Sequence, residues 1–231
     1  MAVVHLIRHG QASFGADEYD ELSEMGRLQS RTLGAALAAR GLRFDRAVSG
    51  SLRRQRDTAK LCLEAAAGVS GGASSGSEVE IDDRWNEYDH LGLVEHHFRR
   101  TGGMPPEAAV SSRVFQVLLD DAFERWIRGD QAPPDALTWA AFSERVWAGL
   151  EDLLAGLGRG GSAAVFTSGG AITAVCGRLL RLPPAGCVAL HRVVINGGIT
   201  KVVSGRSGTA LISFNDHAHF DGGASDQLTY R

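Results

Sequence analysis

Short apolar runs alternate with longer segments of helical periodicity along this chain of 231 residues. The clearest apolar run is 3–7, which has the length and the β-branched content of a buried strand. Further strands are predicted at 44–48, 79–82, 163–167, 188–195, 198–203 and 209–215, with a hairpin turn at 204–208. Helices are predicted at 24–40, after the turn at 49–51, at 107–128, at 139–157 and from 169 to the vicinity of Pro183.

This order of elements predicts an α/β protein, specifically a three-layer α/β/α sandwich. We expect a mostly parallel central sheet with helices on both faces and an antiparallel strand near the C-terminal end. The length suits one domain over residues 1–231. Within it we expect an inserted cap segment at 88–139 and a flexible loop at 68–77, where Gly, Ser and Ala dominate.

Polar residues suited to anion binding follow two of the predicted strands. Arg8, His9 and Gly10 come directly after the first strand, and Ser168 and Gly169 follow a later one. Ligands of open α/β sheets bind beyond the carboxyl ends of the strands, so we expect these residues at one crevice. Gly10 would let the backbone turn sharply and approach a ligand. Our hypothesis is that His9 is a nucleophile toward phosphorus and Arg8 binds the phosphate; a solvated strand terminus is the alternative.

A second cluster of cations lies where the segment 49–59 enters a helix. Cations in a first helical turn oppose the helix dipole, and an anion bound between them and the helix end would resolve the conflict. We expect Arg53 and Arg56 on the exposed face of this helix and Arg54 toward the crevice. The alternative is that all three form an exposed basic face.

The segment 82–90 is rich in carboxylates, one of which could act as a general acid. The composition does not say which one, and most acidic residues in such a run are solvated. His5 and His191 lie inside predicted strands and are interpreted as structural.

Composition excludes several classes of function. The formal net charge of -3 gives no general affinity for nucleic acid or an anionic membrane. Cys62, Cys176 and Cys187 have no metal-like spacing, and the histidine pairs 96–97 and 217–219 lack a third converging ligand. We therefore expect no metal and no cofactor. No signal peptide and no membrane-spanning run is evident, so we expect a cytoplasmic protein.

Several segments in order resemble the histidine phosphatase superfamily, the phosphoglycerate-mutase-like group. The matching segments are Leu6-Ile7-Arg8-His9-Gly10-Gln11, Leu22-Ser23-Glu24-Met25-Gly26, the run 51–59, Trp85-Asn86-Glu87, the run 195–200 and Phe214-Asn215-Asp216. They cover most of the chain outside the cap.

The resemblance implies a mechanism and a set of site residues. His9 would attack phosphorus and become phosphohistidine, and Glu87 would protonate the leaving oxygen and then activate water. Arg8 and Arg54 would bind the non-bridging oxygens of the phosphoryl group. The phosphate site would also include Gln11 of the first matched segment and the turn Ser168-Gly169, which stands where the family has a His-Gly pair.

Two departures from the family pattern change the picture. The family usually has a second histidine at the position of Ser168, and a serine carries no charge. Losing one transition-state donor costs about 10²–10³ in rate if nothing compensates. His217 or His219 could compensate, but the sequence places neither near the pocket. The segment 14–20 lacks the Phe-Thr-Gly-Trp pattern of the mutases, which disfavours a phosphoglycerate mutase.

The sequence therefore predicts a phosphomonoester hydrolase that uses a phosphohistidine intermediate on His9. Its expected partners are a small phosphorylated substrate and inorganic phosphate, and its oligomeric state is open. The alternative is a weakly active or inactive protein that binds phosphate esters in a regulatory role, because Ser168 replaces the second histidine. A third and less favoured hypothesis is a mutase, which would transfer the phosphoryl group between hydroxyls.

Overall fold

A computed structural model describes residues 1–13, 20–70, 78–101, 112–130 and 137–230. Its centre is a six-stranded sheet with the order β3-β2-β4-β1-β5-β6. The strands are β1 (Ala2–Arg8), β2 (Arg46–Ser49), β3 (Glu80–Ile81), β4 (Ser162–Thr167), β5 (Ile199–Gly205) and β6 (Gly208–Asp216).

The sheet is mixed and mostly parallel, as the sequence predicts. β1 and β2 each run parallel to β4, and β3 runs parallel to β2. β5 pairs with β1 in the antiparallel sense, and the predicted hairpin joins it to β6. Because β1, β2 and β4 are parallel, the residues after Arg8, Ser49 and Thr167 meet at one edge of the sheet.

The helices are α1 (Glu24–Ala39), α2 (Arg53–Ser70), α3 (His90–Thr101), α4 (Ser112–Arg128), α5 (Trp139–Gly156), α6 (Gly169–Leu180) and α7 (Pro184–Val193). They lie on both faces of the sheet. One apolar cluster joins Ile7 and Phe166 of the strands to Leu33 of α1 and Cys62 of α2. A larger cluster on the other face joins Leu6 and Val165 to α4, α5, α6 and α7. Neighbouring strand residues thus point to opposite layers, as the two-residue strand period requires.

The prediction of a strand at 188–195 is wrong, because Pro184–Val193 forms the helix α7. The β-branched residues near Val193 favoured a strand. Pro184 instead occupies the first turn, where its missing N–H costs nothing and its fixed φ suits a helix. Cys187 and Val188 are then buried, and Val188 belongs to the larger cluster.

The segment 88–139 contains α3 and α4 in its described part, and its role as a cap stays a prediction. The sequence did not predict α3, and the predicted start of the next helix at 107 lies outside the described residues. Residues 68–70 of the predicted loop belong to α2, and 71–77 lie outside the description. Among the described residues, no helix is long and apolar enough to cross a membrane.

Candidate active site

His9 lies at the carboxyl end of β1 and is fixed by its backbone. Its N–H donates to the Thr167 carbonyl at 2.9 Å, which ties it to the end of the neighbouring strand β4. Its carbonyl accepts a hydrogen bond from Nδ2 of the buried Asn196 at 3.0 Å. The side chain itself is 6% exposed. The imidazole therefore has a defined position at the sheet edge.

The hydrogen bonds of the His9 ring define its tautomer. Nδ1 lies 2.7 Å from the Gly10 carbonyl, which only accepts, so Nδ1 carries the proton. Nε2 accepts a hydrogen bond from Nε of Arg54 at 3.2 Å, and so it carries the lone pair. Burial and the charges of Arg54 and Arg8 lower the pKa of His9 well below its usual value. The imidazole is neutral at neutral pH, with Nε2 as its nucleophilic atom.

Arg54 is the arginine of the α2 start that points into the site. It is 6% exposed, whereas Arg53 and Arg56 are exposed, as their helix positions predict. Its NH1 donates to Asp20 at 2.7 Å. Thr58, one turn further along α2, donates its hydroxyl proton to the Arg54 carbonyl and accepts from the Gly10 N–H at 3.0 Å. Thr58 thus joins the loop of His9 to the helix that carries Arg54.

Gly10 packs closely against α1. A Cβ at Gly10 would lie 2.4 Å from the Gly26 carbonyl oxygen in the first turn of α1. This packing by itself excludes a side chain there, and the expected approach of Gly10 to a ligand stays a prediction.

Arg8 borders the site from β1. Its NH1 donates to two backbone carbonyls, those of Val194 and Tyr230, the second at 2.7 Å. These contacts orient the guanidinium from the side of the C-terminal segment. The charge of Arg8 acts on both His9 and Glu87. Two arginines, one from a strand end and one from a helix start, therefore flank the imidazole.

Glu87 lies at the N-terminus of α6. Its Oε2 accepts from the Gly170 N–H at 3.0 Å, and its Oε1 accepts from the Tyr88 N–H at 3.2 Å. Burial raises the pKa of the carboxyl, and these N–H groups together with Arg54 and Arg8 oppose the rise. A Cβ on Gly170 would lie 2.1 Å from Oε1, so only glycine admits the carboxyl at this place. A carboxyl with a raised pKa suits a general acid.

Ser168 is fully buried at the start of α6. Its Oγ accepts a hydrogen bond from Nε2 of Gln55 at 2.8 Å, and the same nitrogen donates to the Trp85 carbonyl at 3.1 Å. The contact of Gln55 with Ser168 was not predictable from the sequence, because the two residues are more than a hundred positions apart. The serine hydroxyl is thus fixed by α2 and retains its own proton for donation.

Gln11 is linked to the first turn of α1. Its Oε1 accepts from the Ser23 hydroxyl at 2.9 Å, and its backbone N–H donates to Oε1 of Gln29 at 2.8 Å. The structure therefore places Gln11 beside the loop of His9, and its contact with phosphate stays a prediction.

Two histidines that the sequence did not assign to the site contribute to it. His90 at the start of α3 acts electrostatically on His9 and is itself influenced by Arg54. His191 of α7 lies against Gly169, and burial and the charge of Arg8 lower its pKa. The strand predicted at 188–195 placed His191 within the sheet. For this reason its position beside Gly169 was not predicted.

His217 and His219 have other partners. Nδ1 of His217 donates to the Asn215 carbonyl at 2.7 Å. The pKa of His219 is lowered to about 4 by burial and by the charge of Arg40, and the carboxylate of Asp216 opposes this shift. The contacts of these rings therefore link them to the end of β6 and to Arg40 rather than to Arg54 or Arg8.

The arrangement concentrates positive charge around the two acid–base groups. Two guanidinium groups face a neutral imidazole and a carboxyl whose pKa is raised. Such a site favours an anionic ligand with several acceptor oxygens, which arginine binds in a bidentate manner. The described ranges contain no group of three or more metal-ligating side chains that could hold an ion.

The chain belongs to the histidine phosphatase superfamily, branch 1, whose family model matches residues 4–217. The match covers every element that carries the site residues described above. Among curated proteins, no relative matches.

Solved structures of this kind share the fold. A protein described as mycobacterial hydrolase 1 is 24% identical, with a TM-score of 0.64 over 94% of this chain and 99% of its own. The native mycobacterial glucosyl-3-phosphoglycerate phosphatase is 22% identical, with a TM-score of 0.63 and the same coverage. A phosphoglycerate mutase from Bacillus anthracis is 20% identical, with a TM-score of 0.66 over 94% of both chains.

Proposed function

We propose that this protein is a phosphomonoester hydrolase that acts through a phosphohistidine on Nε2 of His9. The carrying observation is the geometry of that nitrogen. The tautomer leaves the lone pair on Nε2, where Nε of Arg54 donates a hydrogen bond to it at 3.2 Å. A phosphorus attacked by Nε2 would therefore bring its oxygens close to Arg54. Membership of the superfamily supports phosphatase chemistry in general.

In the first step, Nε2 of His9 attacks phosphorus and the bond to the ester oxygen breaks. Arg54 exchanges its hydrogen bond with Nε2 for bonds to the phosphoryl oxygens, and Arg8 balances the remaining charge. Glu87 gives its proton to the leaving oxygen, which departs as an alcohol. The raised pKa of Glu87 keeps that proton available.

In the second step, the Glu87 carboxylate takes a proton from water, and the water oxygen attacks phosphorus. The phosphorus–nitrogen bond breaks, and inorganic phosphate and neutral His9 are released. We further propose that the segment 88–139 is a cap that selects a small phosphorylated substrate. A solved phosphoserine phosphatase from Entamoeba histolytica, 19% identical over 95% of this chain, was captured with phosphoserine.

A second candidate function is the binding of phosphate esters with little turnover. Ser168 favours it, because an uncharged hydroxyl stands where the family resemblance expects an imidazole. A mutase is less favoured, although one solved neighbour is a phosphoglycerate mutase.

Steady-state hydrolysis of p-nitrophenyl phosphate tests the proposal. The wild type should turn over, and His9→Ala should abolish turnover because no other group replaces the nucleophile. Arg54→Ala should lower kcat/KM by about 10²–10³, as for loss of one transition-state donor. Arg56→Ala is the matched control, because this arginine is exposed on the same helix, and it should retain wild-type activity.

Ser168→His separates the two candidate functions. A silent wild type that gains turnover with this substitution would favour the binding role. Turnover that persists in His9→Ala would contradict the phosphohistidine route.

A further inference from the structure

The position expected to hold a second imidazole is occupied by Ser168, yet an imidazole is present beside it. A Cβ placed on the adjacent Gly169 would lie 3.2 Å from Cε1 of His191 and 3.7 Å from Nε of Arg8. The His191 ring and the Arg8 guanidinium therefore border the same first turn of α6. The ring reaches this turn from α7, a different part of the chain.

Packing and one hydrogen bond fix the His191 ring. It stacks on Phe123 of α4 with a centroid distance of 4.5 Å and an interplanar angle of 30°. Nδ1 lies 3.2 Å from Oγ1 of Thr173, and that hydroxyl gives its own proton to the Gly169 carbonyl at 2.8 Å. Nδ1 must then be the donor, so Nε2 carries the lone pair.

The groups around the ring keep it uncharged in the absence of ligand. Arg8 from β1 and His90 from α3 act on it directly. On α7 itself, Arg192 is paired with Asp120 of α4 at 2.7 Å. Burial and the charge of Arg8 lower the pKa of His191 to about 3. The negative charge of a bound phosphate would offset the charge of Arg8, and it would raise the pKa of His191 where Arg8 alone lowers it.

We propose that His191 supplies the phosphate contact that a histidine at position 168 would make, with one proton shared between its Nε2 and a phosphate oxygen. This proposal rests on the phosphate site proposed above. Nε2 and the dianionic phosphoryl group of a monoester or a phosphonate both lack a proton, so a hydrogen bond between them needs one from solvent. Above the second ionisation of such a ligand, binding should therefore take up one proton per site.

Calorimetric titration with methylphosphonate tests the contact without turnover, because its dianion has three oxygens and no proton and its carbon–phosphorus bond is not hydrolysed. The titration is done at about pH 9, well above the second ionisation of phosphoryl groups, in two buffers of different ionisation enthalpy. The wild type should show proton uptake. His191→Phe retains the stacking on Phe123. It should weaken the binding of methylphosphonate about 10- to 100-fold, the equivalent of one hydrogen bond to a charged group. It should also lose about one proton of uptake relative to the wild type.

Two further variants remove the ambiguity of a packing defect. His191→Gln retains a polar group. It should bind methylphosphonate with an affinity between those of the wild type and His191→Phe, but without the proton uptake of the wild type. His217→Ala removes a histidine that bonds the Asn215 carbonyl, and it should match the wild type in affinity and uptake. Circular dichroism melting checks that each variant is folded.

The outcomes separate this inference from the proposed function. Unchanged affinity and proton uptake in both His191→Phe and His191→Gln would overturn the His191 contact even if the wild type hydrolyses p-nitrophenyl phosphate. If the His191 variants bind methylphosphonate more weakly and lose the proton uptake while the wild type hydrolyses no p-nitrophenyl phosphate, the contact would be supported and the hydrolase contradicted. A wild type that binds neither inorganic phosphate nor methylphosphonate would overturn both.

Discussion

His9 and Glu87 have opposite pKa shifts, and each shift favours the protonation state that the proposed chemistry needs. Burial lowers the pKa of His9, so the imidazole retains its lone pair. Burial raises the pKa of Glu87, so the carboxyl retains its proton to a higher pH. Charged neighbours reinforce the first shift and oppose the second, because both groups face the same arginines. Burial is therefore the shared cause of both shifts, and the arginines add to it only at His9.

This pair predicts the effect of Glu87→Gln. The value of kcat/KM for an alkyl phosphate, which reports the first step alone, should fall about 10²–10⁴-fold, because its alcohol leaves poorly without a proton. The loss on p-nitrophenyl phosphate should be smaller, since nitrophenolate leaves without help. The high-pH limb of the wild-type profile, set by the raised pKa of Glu87, should disappear from the first step. Equal losses on both substrates would argue against Glu87 as the acid.

Residue positions near motifs were predictable, and long-range partners were not. The place of Arg54 followed from its position in a helical turn, with Arg53 and Arg56 on the other face. Gln55 was not predictable, because its contact with Ser168 depends on how α2 meets the end of β4. His191 was missed for the related reason that its element was misassigned.

The packing of α1 against α2 depends on a glycine in α1. Gly34 of α1 faces α2 so closely that a Cβ there would lie 2.1 Å from the Cys62 carbonyl oxygen and 2.9 Å from Cβ of Ala65. Both atoms belong to a packed helix rather than to a flexible side chain. This contact supports the layer beneath β1, which carries His9 at its end.

Gly34→Ala should therefore destabilise the protein by about 1–3 kcal/mol, the cost of overpacking, although alanine favours a helix. Gly68→Ala is the matched control, because Gly68 lies in α2 and nothing lies within 4 Å of its Cβ position. This control should be neutral or stabilising by up to about 1 kcal/mol. Urea unfolding measures both changes. A Gly34→Ala protein as stable as Gly68→Ala would show that the helices separate without cost.

Elements with complete apolar periodicity were predicted well, as for α1, α5 and the strands β1 and β4. The helix α3 was not, because its buried face includes His97 beside apolar residues such as Phe98. A polar residue on the buried face breaks the pattern that predicts a helix. The packing that buries His97 is a tertiary effect, and the local sequence does not contain it.

At the scale of the whole molecule, several buried histidines have lowered pKa values. The pKa is lowered to about 4 for His5, His90 and His219 and to about 3 for His191, with burial as the largest cause in each case. An unfolded histidine takes up a proton near pH 6.5, so the unfolded chain binds more protons than the folded one between these values. Stability is present above about pH 6.5 and is lost as the pH falls toward about 4.

The free energy of unfolding should accordingly fall steeply between about pH 6.5 and 4, by about 1–3 kcal/mol for each such histidine. His5→Leu should flatten this dependence by one histidine's share. Its ring lies against Phe44, and its buried Nδ1 has no hydrogen-bond partner in the described structure. Urea unfolding at several pH values measures the slope. A slope that is the same in wild type and His5→Leu would contradict this assignment.

The central claim is a phosphoryl group carried by Nε2 of His9, and its most direct test is to trap that group. The wild type is mixed with p-nitrophenyl phosphate, quenched in alkali before turnover is complete, digested and sequenced by tandem mass spectrometry. We expect one phosphoryl group on His9 in the wild type and none in the peptides of His9→Ala. Release of phosphate with His9 unmodified at every quench time, or a phosphoryl group on another residue, would contradict it.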